Sequence, residues 1–181
     1  MRRGALVVAA LVVLGCSGWP SDLTQACWLD DDQCASMAAK EIAADGPLRD
    51  EAMEQLDRLC MQDHPAGCYE AGMVRGFGKT PSRARAAVDL HKACEVSYGE
   101  ACFQEARVLD GSGEGQDYGR AAALYATECD KGSAGSCTNL GYMVERGHGG
   151  AVDVPKAATL YGKGCDGGDQ VGCVNFGLML A

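Results

Sequence analysis

Aromatic residues are scarce in this chain: two Trp, three Phe and six Tyr among 181 residues. That excludes a core built on large rings, so stability has to come from many small contacts. Basic residues are outnumbered, 16 Lys and Arg against 25 Asp and Glu, for a formal charge of −9. With no basic cluster, the chain lacks the phosphate-neutralising surface of a nucleic-acid binder and the polybasic grip of an anionic-lipid binder. His64, His91 and His148 stand too far apart to give metal-ligand spacing. No apolar run approaches the ~18 residues of a membrane-spanning helix. No stretch alternates apolar and polar side chains between hairpin turns, so the expected fold is all-α.

The N-terminus carries an address. Arg2 and Arg3 precede an apolar run from Ala5 to Leu14, followed by Gly15 and Cys16. A basic start, a short apolar stretch and a small residue at the break describe a secretory signal. Val13-Leu14-Gly15-Cys16 resembles the bacterial lipobox, in which the Cys becomes the diacylated first residue of the mature chain. Ser17 rather than Asp follows it, which by analogy with enterobacterial sorting favours the outer membrane, facing the periplasm or the surface. The expected organisation is a lipoprotein signal over 1–15, a short tether over 16–25, and one continuous array over 26–181.

Ten of the eleven cysteines fall into five pairs. Cys60/Cys68, Cys94/Cys102, Cys129/Cys137 and Cys165/Cys173 are eight apart, and Cys27/Cys34 seven. The first members recur at intervals of 33, 34, 35 and 36 residues. A period in that range means stacked copies of one supersecondary unit, a solenoid. The array holds about four and a half repeats.

Aligned on the cysteines, the units show two helices. Eight residues before the first Cys stand Ala52, Ala86, Ala121 and Ala157, and four before it Leu56, Leu90, Tyr125 and Tyr161. Alanine, Leu/Tyr and Cys therefore share one helical face. Ser82, Asp117 and Asp153, twelve before the Cys, are expected N-caps, while the first unit offers Gly46-Pro47 instead. Four residues after the second Cys stand Ala38, Gly72, Ala106, Gly141 and Gly177. Small residues recurring inside a helix mark a close helix–helix approach. Gly76-Phe77-Gly78, Gly111-Ser112-Gly113 and Gly147-His148-Gly149-Gly150 are expected turns, Gly78-Lys79-Thr80 another, and Asp30-Asp31-Asp32 a solvated acidic turn.

Each pair then places one Cys at the end of a helix and the other at the start of the next. If the chain reverses between them, the two Cα atoms come within the roughly 4.4–6.8 Å a disulfide needs. Zinc sites usually place cysteines two to four apart, unlike these pairs, and an exported chain meets oxidising conditions. Disulfides are expected for Cys27–Cys34, Cys60–Cys68, Cys94–Cys102, Cys129–Cys137 and Cys165–Cys173.

The pattern Asp153-x-x-Lys156-Ala157-x-x-Leu160-Tyr161-x-x-x-Cys165-Asp166-x-Gly168, its counterpart from Asp117 to Cys129, and Gly172-Cys173-x-x-Phe176-Gly177 resemble the Sel-one-like repeat (SLR), a relative of the tetratricopeptide repeat. The spacing of the cysteines is similar to that of the cysteine-rich SLR proteins, the Hcp family. The second unit departs from the pattern at Asp89, where the next two have Leu. The resemblance implies a right-handed α-solenoid of antiparallel helix pairs with one disulfide per repeat. It also implies a protein- or peptide-binding scaffold in the cell envelope, with a concave groove lined by first helices.

Some Hcp proteins are catalogued as β-lactamases or penicillin-binding proteins, which makes a hydrolase the alternative. No serine here has Lys three residues later, Ser36 and Lys40 being four apart, and no Ser-Asp-Asn or Lys-Thr-Gly partner is present. No catalytic residue, metal or cofactor is therefore assigned. Tyr69, Phe103, Thr138, Asn139 and Asn175 are the candidate concave positions, Asn for gripping a bound backbone and the rings for contact area. The expected ligand is a protein or peptide, with a peptidoglycan-related partner as another possibility.

Overall fold

The computed structural model describes residues 30–45, 49–79, 81–111, 113 and 115–181. The signal, Cys16, the tether, Cys27 and Gly46-Pro47 lie outside them. The described residues form nine α-helices and no strand: α1 Asp31–Ala43, α2 Arg49–Met61, α3 Pro65–Phe77, α4 Arg83–Glu95, α5 Ala101–Asp110, α6 Tyr118–Asp130, α7 Ala134–Arg146, α8 Val154–Asp166 and α9 Gln170–Leu180. Odd-numbered helices are the first of each pair and even-numbered ones the second. Each packs on its neighbours in sequence, and the whole is a right-handed α-solenoid.

Second helices are 13 residues long and end at the cysteine, as the spacing predicts. Asp117 and Asp153 cap theirs, accepting from the Arg120 and Lys156 amides at 3.0 and 2.9 Å. Ser82 occupies the same position but makes no side-chain cap bond. Asp30 is itself an N-cap, accepting from the Gln33 amide, so the acidic run is a helix start and not a free turn. Two expected links also shift: Gly76 is buried within α3, and Gly78 is the first residue beyond that helix.

Ala52, Ala86, Ala121 and Ala157 are fully buried, with Leu56, Leu90, Tyr125 and Tyr161 at most 1% exposed. Each of these rows fills the space opposite a small residue. A Cβ on Gly72 would lie 2.5 Å from Leu90 Cγ, and one on Gly141 3.0 Å from the Tyr161 ring. Gly177 holds the matching place on α9 and has nothing within 4 Å.

Disulfides Cys60–Cys68, Cys94–Cys102, Cys129–Cys137 and Cys165–Cys173 join each second helix to the next first helix, with Cα separations of 4.4, 4.6, 4.7 and 4.3 Å. Cys34 is also disulfide-bonded. Between the joined cysteines the chain reverses by one device, repeated. The third residue after the first Cys, namely Asp63, Ser97, Gly132 or Gly168, is left-handed in every case. The next amide then reaches back five residues: His64 to the Leu59 carbonyl, Tyr98 to Ala93, Ser133 to Glu128 and Asp169 to Gly164, at 2.9–3.0 Å. This is the six-to-one bond of a Schellman cap.

The Asp89 departure has a structural reason. Arg75 on α3 ion-pairs with Asp89 on α4 and Asp57 on α2, and its side chain is only 13% exposed. The same two positions hold Leu109 and Leu124 in the next unit, and Val144 and Leu160 after that. An ion pair and an apolar pair thus fill equivalent space.

Two predictions follow from this packing. R75L should lower stability by about 3 kcal/mol because it strands Asp89, whereas the R75L/D89L pair should recover most of that loss by copying the neighbouring unit. Urea unfolding of the oxidised protein gives the comparison, and a double variant no better than the single one would contradict the equivalence. G72A should cost about 1–3 kcal/mol through overpacking against Leu90, while G177A should be neutral or stabilising by about 0.5–1 kcal/mol. Equal effects at the two sites would show that Gly72 is not a contact position.

Candidate functional site: the face of the first helices

First helices also meet one another, α1 with α3, α3 with α5, and α7 with α9, while successive second helices make no comparable contact. A stack that is tight on one side and open on the other curves toward the tight side. The first helices therefore line the concave face.

The sequence-chosen positions fall mainly into the packing. Tyr69 is half-buried with its ring 5.8 Å from Tyr98, and Phe103 is half-buried with its ring 6.0 Å from Tyr125. Thr138 is not exposed at all: it is 3% accessible. It fits because Gly164 and Gly172 lack side chains, and a Cβ on either would come within 2.6 Å of its Oγ1. Asn139 is half-buried, its side chain beside the Tyr125 hydroxyl of the preceding repeat. Asn175, half-buried on α9, is the remaining member. The structure does not bring these five into one exposed surface.

Another set forms that surface. Phe77 and Tyr142 are 42% and 41% exposed, and Arg107 and Arg146 are exposed as well. The Arg107 guanidinium lies over the Phe77 ring at 4.6 Å and within 5.9 Å of Phe103, while an Arg107 N–H donates to Gln104 Oε1 at 2.9 Å. Arg146 lies over Tyr142 at 5.3 Å. Rings and guanidinium groups thus alternate across three repeats, from α3 through α5 to α7. Phe77 also borders a groove of about 670 Å³ among α1, α2 and α3, lined by Lys40, Met53, Glu70, Met73 and Val74 among others. Burial pushes the Glu70 carboxyl up, and Lys40 opposes the shift.

Four polar clusters join neighbouring helices, and one of them, at His148, reaches the Tyr142 ring at 6.1 Å. Glu105 is fully buried on α5, ion-paired with Arg120 of α6 and 3.4 Å from His91 Nδ1 of α4. Burial raises its carboxyl above the ordinary value, against the opposing pull of Arg120 and His91. Tyr161 donates to Glu145 at 2.7 Å. His148 stacks on Tyr118 at 4.1 Å, with Asp110 4.0 Å from its Nδ1. His64 sits 3.8 and 3.9 Å from Asp31 and Asp32. Among the described residues no group of three His, Cys, Asp or Glu is placed to hold a metal ion, and no helix is long and apolar enough to cross a membrane.

Two solved structures share this architecture. One is c5321, a protective antigen present in uropathogenic Escherichia coli strains and displaying an SLR fold, with a TM-score of 0.62 and 22% identity over 80% of this chain and 32% of that one. The chain has an SLR fold. The other is a Sel1 repeat protein from Oxalobacter formigenes, at TM-score 0.62 and 20% identity, covering 82% of this chain and 62% of that one. This SLR chain therefore spans about a third of the first structure and under two thirds of the second. No protein-family model matches it, and no curated protein matches it in sequence.

Glu105 gives the site a pH signature. Because burial raises its folded value above the ordinary 4.5, the folded state keeps a proton over a range where the unfolded chain has lost it. The stability it contributes is present at low pH and is lost as pH rises through that folded value. Melting temperatures measured from about pH 5 to about pH 7 should fall less steeply in E105Q than in the unaltered protein. Burial also raises Glu70, Asp89 and Asp110, so a smaller slope of the same sign should remain. Parallel curves for the two proteins would remove Glu105 as the source.

Proposed function

We propose that this SLR protein is an exported scaffold that binds protein or peptide segments along its concave face, anchored to the cell envelope through a lipid on Cys16. The observation that carries the binding reading is the exposed series Phe77, Arg107, Tyr142 and Arg146 on the first helices. Aromatic and Arg side chains are the residues that dominate interface energetics, and each guanidinium here rests on a ring rather than trailing in solvent. A solenoid presents such side chains at repeat spacing, so an extended segment meets several at once.

The disulfides support the export part of the reading, since such bonds persist in oxidising compartments. The lipobox-like Val13-Leu14-Gly15-Cys16 supports the anchor, and Ser17 after it the outer membrane. The β-lactamase-like alternative gains nothing from the arrangement: the three histidines sit in separate clusters, each beside carboxylates.

Selection of a random displayed-peptide library on the purified exported protein should enrich binders. The combined F77A/R107Q/Y142A/R146Q variant should weaken them by at least about tenfold, as removal of central aromatic and Arg contacts does elsewhere. A library that yields nothing above background, or binders indifferent to all four changes, would refute the concave-face reading. Non-reducing intact mass spectrometry of the same protein should show diacylation at Cys16 and no alkylatable thiol. Free thiols or an unmodified Cys16 would refute the envelope placement separately.

A further inference from the structure

Arg107 and Arg146 differ from the other arginines that join repeats. Arg75 has Asp57 and Asp89, and Arg120 has Glu105. Arg107 has only the neutral Gln104 side chain and two rings, and Arg146 only the Tyr142 ring, with no carboxylate of the described residues in ion-pair reach of either. A ring holds a guanidinium in place without cancelling its charge, leaving the outward N–H groups able to donate. In a chain of formal charge −9, these two uncompensated cations share the concave face.

The face is also polarised along its length. At the α1–α3 end the groove is apolar, with Met53, Met73, Val74 and Phe77. Of the charged residues that line it, Lys40 offsets Glu70, Arg49 and Lys79 pair with Asp45, and Arg75 is paired with Asp57 and Asp89. Phe77 is the junction, lining the groove on one side and carrying Arg107 on the other. Beyond it, toward α7, the exposed groups are Arg107, Tyr142 and Arg146. A ligand that matches this order has an apolar side chain at one end and carboxylates at the other.

Resting on the scaffold reading above, we infer that the ligand is an acidic peptide segment: a large apolar side chain seats against Met73 and Phe77, and the carboxylates that follow it pair with Arg107 and Arg146. Guanidinium–carboxylate pairing is charge-assisted and often bidentate, so it discriminates carboxylate from amide. The net negative charge of the protein opposes approach of such a ligand, so recognition is short-range and depends on these two side chains.

The probes are three acetylated, amidated nonapeptides: one with Leu followed by Asp-Glu-Asp, its Asn-Gln-Asn isostere, and a version with Lys in the three charged places. Fluorescence anisotropy with the purified exported protein should show the acidic peptide binding at least about tenfold tighter than the isostere, with the Lys version weaker still. R107Q/R146Q should bring the acidic peptide down to the isostere's affinity, R107K should keep part of the preference, and K156Q, an exposed cation on the second helix α8, should change nothing. Unaltered melting temperatures would show that the variants fold. Equal binding of the acidic and amide peptides, no binding of the acidic peptide, or an R107Q/R146Q variant that keeps the preference would each overturn the inference. If neutral peptides selected from a random library still bind and F77A weakens them, the scaffold reading survives this failure. A library that yields no binder removes both.

Discussion

The structure depends on a turn that is closed twice. After each second helix the chain passes through one left-handed residue, makes a six-to-one backbone bond, and is then tied by a disulfide across the same reversal. Either closure alone fixes where the chain goes; together they fix the angle between one repeat and the next. A nine-residue closed loop contributes about 2.5 kcal/mol in the chain-entropy model. The left-handed position is borne by Asp63 and Ser97 in two turns and by Gly132 and Gly168 in the others. Non-glycine residues hold that conformation at some cost, and the covalent link keeps the chain there.

With the inter-repeat angle set by the turns, the interior can be thin. The buried rows are alanine and one Leu or Tyr per helix, facing glycine or alanine. Helices that close approach each other along backbones, so burial per residue is modest and each contact is sensitive to a single methylene. The same tight frame tolerates different chemistry where volume is kept. Arg75 with Asp89, Leu109 with Leu124, and Val144 with Leu160 fill one place in three units. Glu105 is a different case. Its counterparts Ala71 and Leu140 are apolar, and its carboxylate is held between second helices of two successive units.

Much of this frame was legible because it rests on positions that repeat. The cysteine spacing announced the period, the buried alanines and Leu/Tyr rows announced the second helix, and Gly72 and Gly141 announced the close approach. One repeated signal went unread: in the four pairs eight apart, the residue before the second Cys, Gly67, Ala101, Ser136 or Gly172, is small and buried. A Cβ on Gly67 would lie 2.3 Å from Leu59 Cβ, which is why only small residues stand there. The concave face was misplaced by a question of angle. At roughly 100° per residue, a position one after the second Cys stands on the flank of the buried stripe, while positions five and nine after it point away. Tyr69, Phe103 and Thr138 are of the first kind and pack between repeats. Arg107 and Tyr142 stand at five, Phe77 and Arg146 at nine. These do not share a residue type from unit to unit, so a search for recurrence passes over them.

That lack of recurrence separates the two roles within each first helix. The face toward the turn must match the neighbouring repeat, and its residues are repeated because the geometry is repeated. The opposite face is the exposed one and is free to differ at each step. What this chain places there is not a random sample of its composition. Acidic residues outnumber basic ones overall, yet the exposed charges on the α5 and α7 face are guanidinium groups resting on rings. Arg75 and Arg120, by contrast, are set against carboxylates of neighbouring helices, where they hold one helix to another. A cation stacked on an aromatic face is held in place but keeps its charge. It serves the stack far less than a paired one does, and its remaining donors face the concave side.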